Sequence, residues 1–234
     1  MPFEKACKKK TKLRLWLNGM SSSGKTYSAL LIAKGLGGKI ALIDSEAGRG
    51  HLYGDKFDYD VFGLTAPFTP EKYIAAIKEA EAAGYNVIIV DSASHEWVEV
   101  LGIKTKLDER PGSNQFTNWA SPTRRHNSFI ESVIQSPCHV IVTSRVKRDW
   151  MLVEENGKHV PKCVGLANVQ REGIEYEFTT EFRIEQNHHA TAIKDNTRLF
   201  LDKGDFLITE DTGKQLIAWL NEGKEEIIKQ PVKA

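Results

Sequence analysis

The sequence predicts an α/β fold: a doubly wound, mostly parallel sheet with an antiparallel extension on its C-terminal side. Three observations lead there. Short apolar runs closing on polar or acidic residues recur at Leu13–Leu17, Lys39–Asp44, Asn86–Asp91 and Cys138–Ser144, as expected of parallel strands covered on both faces. Segments with helical spacing stand between them, the alternation of a crossover-connected sheet. After Arg145 the alternation stops, and Trp150–Glu155 and His159–Val164 flank Asn156-Gly157, the dipeptide of a tight hairpin turn.

In chain order, residues 1–12 form a basic arm with Lys8, Lys9, Lys10 and Lys12, read as an ordinary solvated terminus. Leu13–Leu17 is the first strand, Tyr27–Leu36 the first helix, and Gly37-Gly38 ends that helix. Lys39–Asp44 is the second strand and Tyr59–Leu64 a short third. Pro70–Ala83 carries Tyr73, Ile74, Ile77 and Ala80 at helical spacing and is a crossover helix closed by Gly84. Asn86–Asp91 and Cys138–Ser144 are central strands. Strand-like segments return at Glu177–Glu185 and Ala190–Lys194, before an amphipathic helix over Thr212–Asn221. This second half is expected to be antiparallel and appended to the sheet's edge. The core spans 13–223, and 224–234 reads as a flexible tail.

Composition sets outer bounds. A chain of 234 residues fits one α/β domain, and a net charge of +1 gives no bulk attraction to nucleic acid. Cys7, Cys138 and Cys163 form no CxxC pair, which suits a reducing cytoplasm, and no run approaches the roughly 18 apolar residues of a membrane span. A cytoplasmic protein without membrane partners is expected. His188-His189 and the His159/Cys163 pair offer no four-ligand metal set and are read as ordinary polar residues.

The chemistry begins at Gly19-Met20-Ser21-Ser22-Ser23-Gly24-Lys25-Thr26, which fills the pattern GxxxxGK[ST] between a strand and a helix. Such a loop aims backbone N–H groups and a helix's positive end at one point, as a polyphosphate requires. The expected nucleotide contacts run from Gly19 through Tyr27, with Lys25 on the β and γ phosphates and the Thr26 hydroxyl on Mg²⁺. ATP and Mg²⁺ are the implied ligands of a P-loop NTPase.

Hydrolysis asks for one carboxylate near the metal and another on the attacking water. Asp91, at the carboxyl end of a buried strand, suits the first role. Glu46 and Glu96 are candidates for the second. Ser92 follows Asp91, so no acid adjoins it, and this favours Glu46.

Gly-x-x-x-x-Gly-Lys-Thr, Leu-Ile-Asp-Ser-Glu (42–46), Ile-Ile-Val-Asp-Ser (88–92) and Thr143-Ser144-Arg145 together resemble the RecA-type recombinase core, over roughly residues 13–146. The segment from Pro161 to Phe178, following Lys147-Arg148-Asp149-Trp150, is similar to phage-encoded RecA-like core ATPases linked to single-strand annealing and recombination. The resemblance implies that Glu46 activates water, Asp91 holds magnesium through water, and Ser144-Arg145 senses the γ-phosphate where bacterial recombinases carry Asn-Gln. It also implies a location in the host-cell cytoplasm.

In RecA-like assemblies the loops after the central strands face DNA, here about 102–125 and 146–175. The first holds Lys104, Lys106, Arg110, Asn114, Gln115, Phe116, Trp119, Arg124 and Arg125; the second holds Lys147, Arg148, Trp150, Lys158, Lys162 and Arg171. Cations interleaved with aromatics suit single-stranded DNA. Arg124, Arg125, Lys147 and Arg148 are the foremost DNA candidates. Arg145, Lys162 and Arg171 are candidates for a cation acting across a subunit boundary, in a self-associated ring or filament. Phe3-Glu4-Lys5-Ala6 has the spacing of a Phe-x-x-Ala tether between protomers, and a single-strand-binding protein is a further expected partner. Two other readings stand beside this: a small-molecule P-loop kinase with Arg124-Arg125 in a lid, and a nucleotide-gated assembly protein with little turnover.

Overall fold

The computed structural model describes residues 5–155 and 158–224, and in it each apolar run of the first half becomes a buried strand. The elements are β1 (Arg14–Gly19), α1 (Lys25–Leu36), β2 (Ile40–Asp44), β3 (Asp60–Gly63), α2 (Pro70–Ala82), β4 (Val87–Asp91), α3 (Ala93–Asp108) and α4 (Ala120–Gln135). They continue with β5 (His139–Glu155), β6 (Lys158–Asn168), β7 (Thr180–Ile184), β8 (His189–Asp195), β9 (Asp205–Leu207) and α5 (Glu210–Asn221). The sheet runs β3-β2-β4-β5-β1-β7-β8-β9, with β6 paired only to β5.

Side-chain alternation along the strands builds two cores. Leu15, Leu17, Leu42, Val87, Ile89 and Ile141 point toward α1 and α5, where they meet Leu30, Ile32, Leu216 and Leu220. Trp16, Ile43, Ile88, Val90, Val140 and Val142 point the opposite way, onto Tyr73 and Ile77 of α2 and Phe129 and Val133 of α4. Each fully buried side chain of this size contributes about 1.5–3 kcal/mol. The carboxyl ends of β1, β2, β4 and β5 are thereby held side by side, Asp44 opposite Asp91 and Gly19 opposite Arg145.

Four expectations change. β7 pairs with β1 in parallel, so the parallel part of the sheet extends one strand into the second half, and only β6, β8 and β9 are antiparallel. The strand expected to end at Ser144 runs on to Glu155 and forms a two-stranded ribbon with β6, whose register shifts between Asp149 and Trp150. The first expected loop, 102–125, is largely helical, holding the last turns of α3 and the first of α4. The basic arm is fastened to the end of α5: Lys10 N–H donates to the Lys224 carbonyl at 3.0 Å, Lys224 N–H donates to the Lys8 carbonyl at 2.9 Å, and Lys8 Nζ lies 2.6 Å from Glu222. The Asn156-Gly157 turn, Phe3 of the expected tether, and residues beyond 224 lie outside the described residues.

Candidate functional site

Gly19 ends β1 where no side chain fits, since a Cβ there would stand 2.5 Å from the Ile184 carbonyl of β7 and 2.5 Å from Ser23 Oγ. The loop then turns through left-handed Ser22 (φ 64°) and Gly24 (φ 91°) into α1. α1 has no side-chain N-cap, so its first N–H groups remain available to an anion. Lys25 Nζ donates to the carbonyls of Gly19 (3.0 Å) and Met20 (2.8 Å), which sets its ammonium across the loop. Burial lowers the Lys25 pKa, against the opposing pull of Asp91 and Glu46. The cavity at this loop measures about 570 Å³ and is lined by loop residues together with Glu46, Arg49, Leu52, Tyr53, Asp91 and Arg145.

Asp91 stands at the centre. Its Oδ2 accepts the Thr26 hydroxyl at 2.5 Å and its Oδ1 accepts the Thr143 hydroxyl at 2.6 Å. Burial raises its pKa, and the two hydroxyl donors oppose that rise. Glu46 sits just past β2: its Oε1 accepts from Arg145 Nη2 (2.6 Å) and Nε (3.1 Å), and its Oε2 from Arg49 Nη1 (3.3 Å). Burial alone would raise the Glu46 pKa, but the Arg145 hydrogen bonds and charge, with His95 and Arg49, bring it below the usual value. His95 is itself shifted down by burial and by Arg145, and its Nδ1 lies 2.8 Å from Ser45 Oγ. Cations, hydroxyls and acids thus converge on one cavity fronted by backbone N–H groups, an arrangement suited to a polyphosphate.

A family model described as an AAA domain matches residues 11–209. The chain belongs to that family. No curated protein matches it. As an AAA-domain protein it is a nucleotide-binding P-loop ATPase, and such ATPases typically work with Mg²⁺. Hard oxygen donors suit that ion: the Thr26 hydroxyl and Asp91 carboxylate would hold it from the protein side. Among the described residues no three His, Cys, Asp or Glu side chains cluster as a metal cage. No described helix is long and apolar enough to cross a membrane.

Not every predicted residue of this AAA domain reaches the cavity. Glu96 is buried on α3 and faces His126 of α4, Nδ1 lying 3.1 Å from each carboxylate oxygen, so this acid ties two helices together. Ser144 points to the opposite face of β5 from Thr143 and Arg145, where its Oγ accepts the Trp16 indole N–H at 2.7 Å. The period of two along a strand explains the split. The Tyr27 ring does not line the cavity but packs edge-on against Tyr53, which does. Arg125 makes a two-pronged pair with Glu71 of α2, both contacts 2.7 Å, whose hydrogen bonds hold the Glu71 pKa down at about 2. Arg124 is exposed on the same helix. Arg171 donates to Asn127 at 2.9 Å, and Lys162 lies on β6 opposite Met151; neither lines the phosphate-loop cavity. Lys147 and Arg148 are exposed at the root of the ribbon.

Asp44 and Arg49 carry no site role in the sequence reading, His188 enters it as an ordinary polar residue, and Thr143 enters only within the polar strand end Thr143-Ser144-Arg145. His188, on the turn from β7 to β8, sets Nδ1 3.1 Å from the Ser23 carbonyl of the phosphate loop. Only the sheet order brings it there, so no local pattern announces it. For Arg49 a local signal exists, the glycines at 48 and 50 on either side of it.

Proposed function

We propose that this chain hydrolyses MgATP and couples the cycle to single-stranded DNA, as a RecA-like core of the phage type serving recombination or annealing. The observation that carries this reading is the continuity of β5: the strand that presents Arg145 to the nucleotide cavity becomes, two residues later, a ribbon bearing exposed Lys147 and Arg148. A shift in one end of a hydrogen-bonded strand is felt at the other.

Lys25 and the loop N–H groups bind the phosphates, and Thr26 with Asp91 would hold a magnesium ion, which would neutralise phosphate charge there. Glu46 takes the proton of the attacking water. Both of its oxygens are engaged by guanidinium groups, so it acts once Arg145 moves from the carboxylate toward the γ-phosphate. That exchange frees a base and brings a cation to the developing charge in one motion. Arg145 then works within its own subunit, and Lys162 and Arg171 remain the cations for a neighbour in a self-associated assembly.

What supports the ATPase reading over the kinase one is that Arg125 pairs with Glu71 and neither arginine lines the cavity. The doubly held Glu46 favours a low basal rate, the feature shared with a nucleotide-gated assembly protein. Phosphate release measured across single-stranded, duplex and no DNA, with Lys25→Ala as blank, tests the proposal. Stimulation by single strands is expected. A rate indifferent to DNA, alongside oligonucleotide binding indifferent to ATP and salt, overturns it.

A further inference from the structure

Resting on the reading of Glu46 as the base, we infer that Asp44 is its positioning residue: a buried carboxylate that folds residues 45–53 into the wall facing the phosphates. Asp44 ends β2 and is 2 % exposed. It does not line the cavity. Its Oδ1 accepts the Glu46 N–H at 2.6 Å, and its Oδ2 accepts the N–H groups of Gly48 at 2.9 Å and Gly50 at 3.0 Å. Three backbone donors on one carboxylate define the path of the segment between them.

Two left-handed residues, Ala47 (φ 57°) and Gly48 (φ 87°), turn the chain around the carboxylate. Gly50 comes so close that a Cβ would stand 2.8 Å from Leu42 Cδ2 and 3.0 Å from Asp44 Cβ. Arg49, held between the two tethered glycines, reaches Glu46 Oε2. Leu52 and Tyr53 follow at the cavity rim. The phosphate loop is set by other contacts, Gly19 against Ile184 and Ser23 among them. Asp44 therefore governs where Glu46 stands, and with it the cavity-lining Arg49, Leu52 and Tyr53, while the phosphate loop keeps its own contacts.

Replacing Asp44 by Asn turns one acceptor into a donor that faces an N–H group, and the wall loses its anchor. A misplacement of about 1 Å can cost about 100-fold in rate, so Asp44→Asn is expected to lower kcat at least about 10-fold. KM for MgATP and the Kd of a fluorescent ATP analogue should change less than kcat does, because the phosphate loop is untouched while Arg49, Leu52 and Tyr53 shift with the wall. In a Glu46→Gln background the same change should cost little more, since the residue being positioned is already gone. Gly50→Ala displaces the segment while keeping the carboxylate and should reproduce the kcat loss, so the test survives if the Asn variant fails to fold. Wild-type kcat in both variants overturns the inference, as does nucleotide affinity falling in parallel with kcat, or a full additional loss in the Gln background. A Glu46→Gln enzyme that turns over normally instead overturns the reading of Glu46 beneath it.

Discussion

The two halves of β5 are one strand in two environments. From His139 to Ser144 every residue is buried between β4 and β1, and each polar side chain there has a fixed partner: His139 with Leu13, Thr143 with Asp91, Ser144 with Trp16. From Lys147 onward the strand pairs only with β6, and Met151 and Leu152 are 58 % and 70 % exposed. The first half is specified by packing on both faces. The second is specified by one ladder of backbone hydrogen bonds. Chemistry that needs atoms fixed within tenths of an ångström belongs to the first, and a surface that adapts to a flexible partner belongs to the second.

The largest test of that contrast is at the buried end. Removing the carboxylate charge by Glu46→Gln should lower kcat by about 10²–10⁴-fold, the usual contribution of a positioned general base, while the urea midpoint stays near wild type. A rate within about 3-fold of wild type would mean that the cavity binds nucleotide without using this acid.

His139 gives the next largest effect, in stability. Burial holds its pKa at about 4 against an ordinary 6.5, with the charges of Lys12 and Arg14 adding to the shift, and Nδ1 accepts the Leu13 N–H at 3.1 Å. The native state prefers the neutral ring, so on acidification the unfolded chain binds a proton first. Its contribution is complete above about pH 6.5 and is lost progressively toward pH 4, about 3 kcal/mol in all. His139→Gln keeps an acceptor but does not titrate. Denaturant midpoints for this variant should fall less steeply than wild type between those pH values, and parallel slopes would refute the assignment.

Legibility in the sequence follows the same division. Strands β1, β2, β4 and the start of β5 are continuous apolar runs because both faces are covered, and they were readable for that reason. Lys25, Thr26, Asp91, Glu46 and Arg145, the residues brought to the cavity, all lie at or just after the ends of those strands. Helix α4 was hidden because its buried positions, Pro122, His126, Phe129, Ile130 and Val133, are outnumbered by polar residues, and its arginines drew attention as loop cations. The parallel pairing of β7 could not be read, since its partner β1 is far away in sequence and the strand itself carries Glu181 and Arg183 among its apolar residues. The reach of His188 to the phosphate loop depends on that same pairing.

Thr143→Val tests whether the buried half is fixed by its hydrogen bonds as well as by its packing. The shape is nearly kept and only the donor to Asp91 Oδ1 is lost. A buried carboxylate deprived of one donor costs about 1–3 kcal/mol. The Asp91 pKa should rise further, because burial is then opposed by the Thr26 hydroxyl and the Lys25 charge without the Thr143 donor. Urea titration together with the magnesium dependence of turnover reads both, and a variant unchanged in each would show that packing alone holds Asp91.

The ribbon should show the smallest effect on stability and the clearest directionality. Lys147 and Asp149 line a cavity against the body that also contains Glu181 and Arg183, whereas Arg148, one residue along, points to the other face of the strand. Charge reversal at either site should leave stability within about 0.5 kcal/mol. Arg148→Glu is nevertheless expected to weaken single-stranded DNA binding and flatten its salt dependence by about 0.7 in log–log slope per lost phosphate contact. Lys147→Glu should do much less, because Lys147 lies on the strand face that lines this cavity against the body and not on the outer face. Equal effects would mean that DNA engages both faces of the ribbon. No effect from Arg148→Glu would detach the ribbon from DNA altogether, and with it the role given to the outer half of β5.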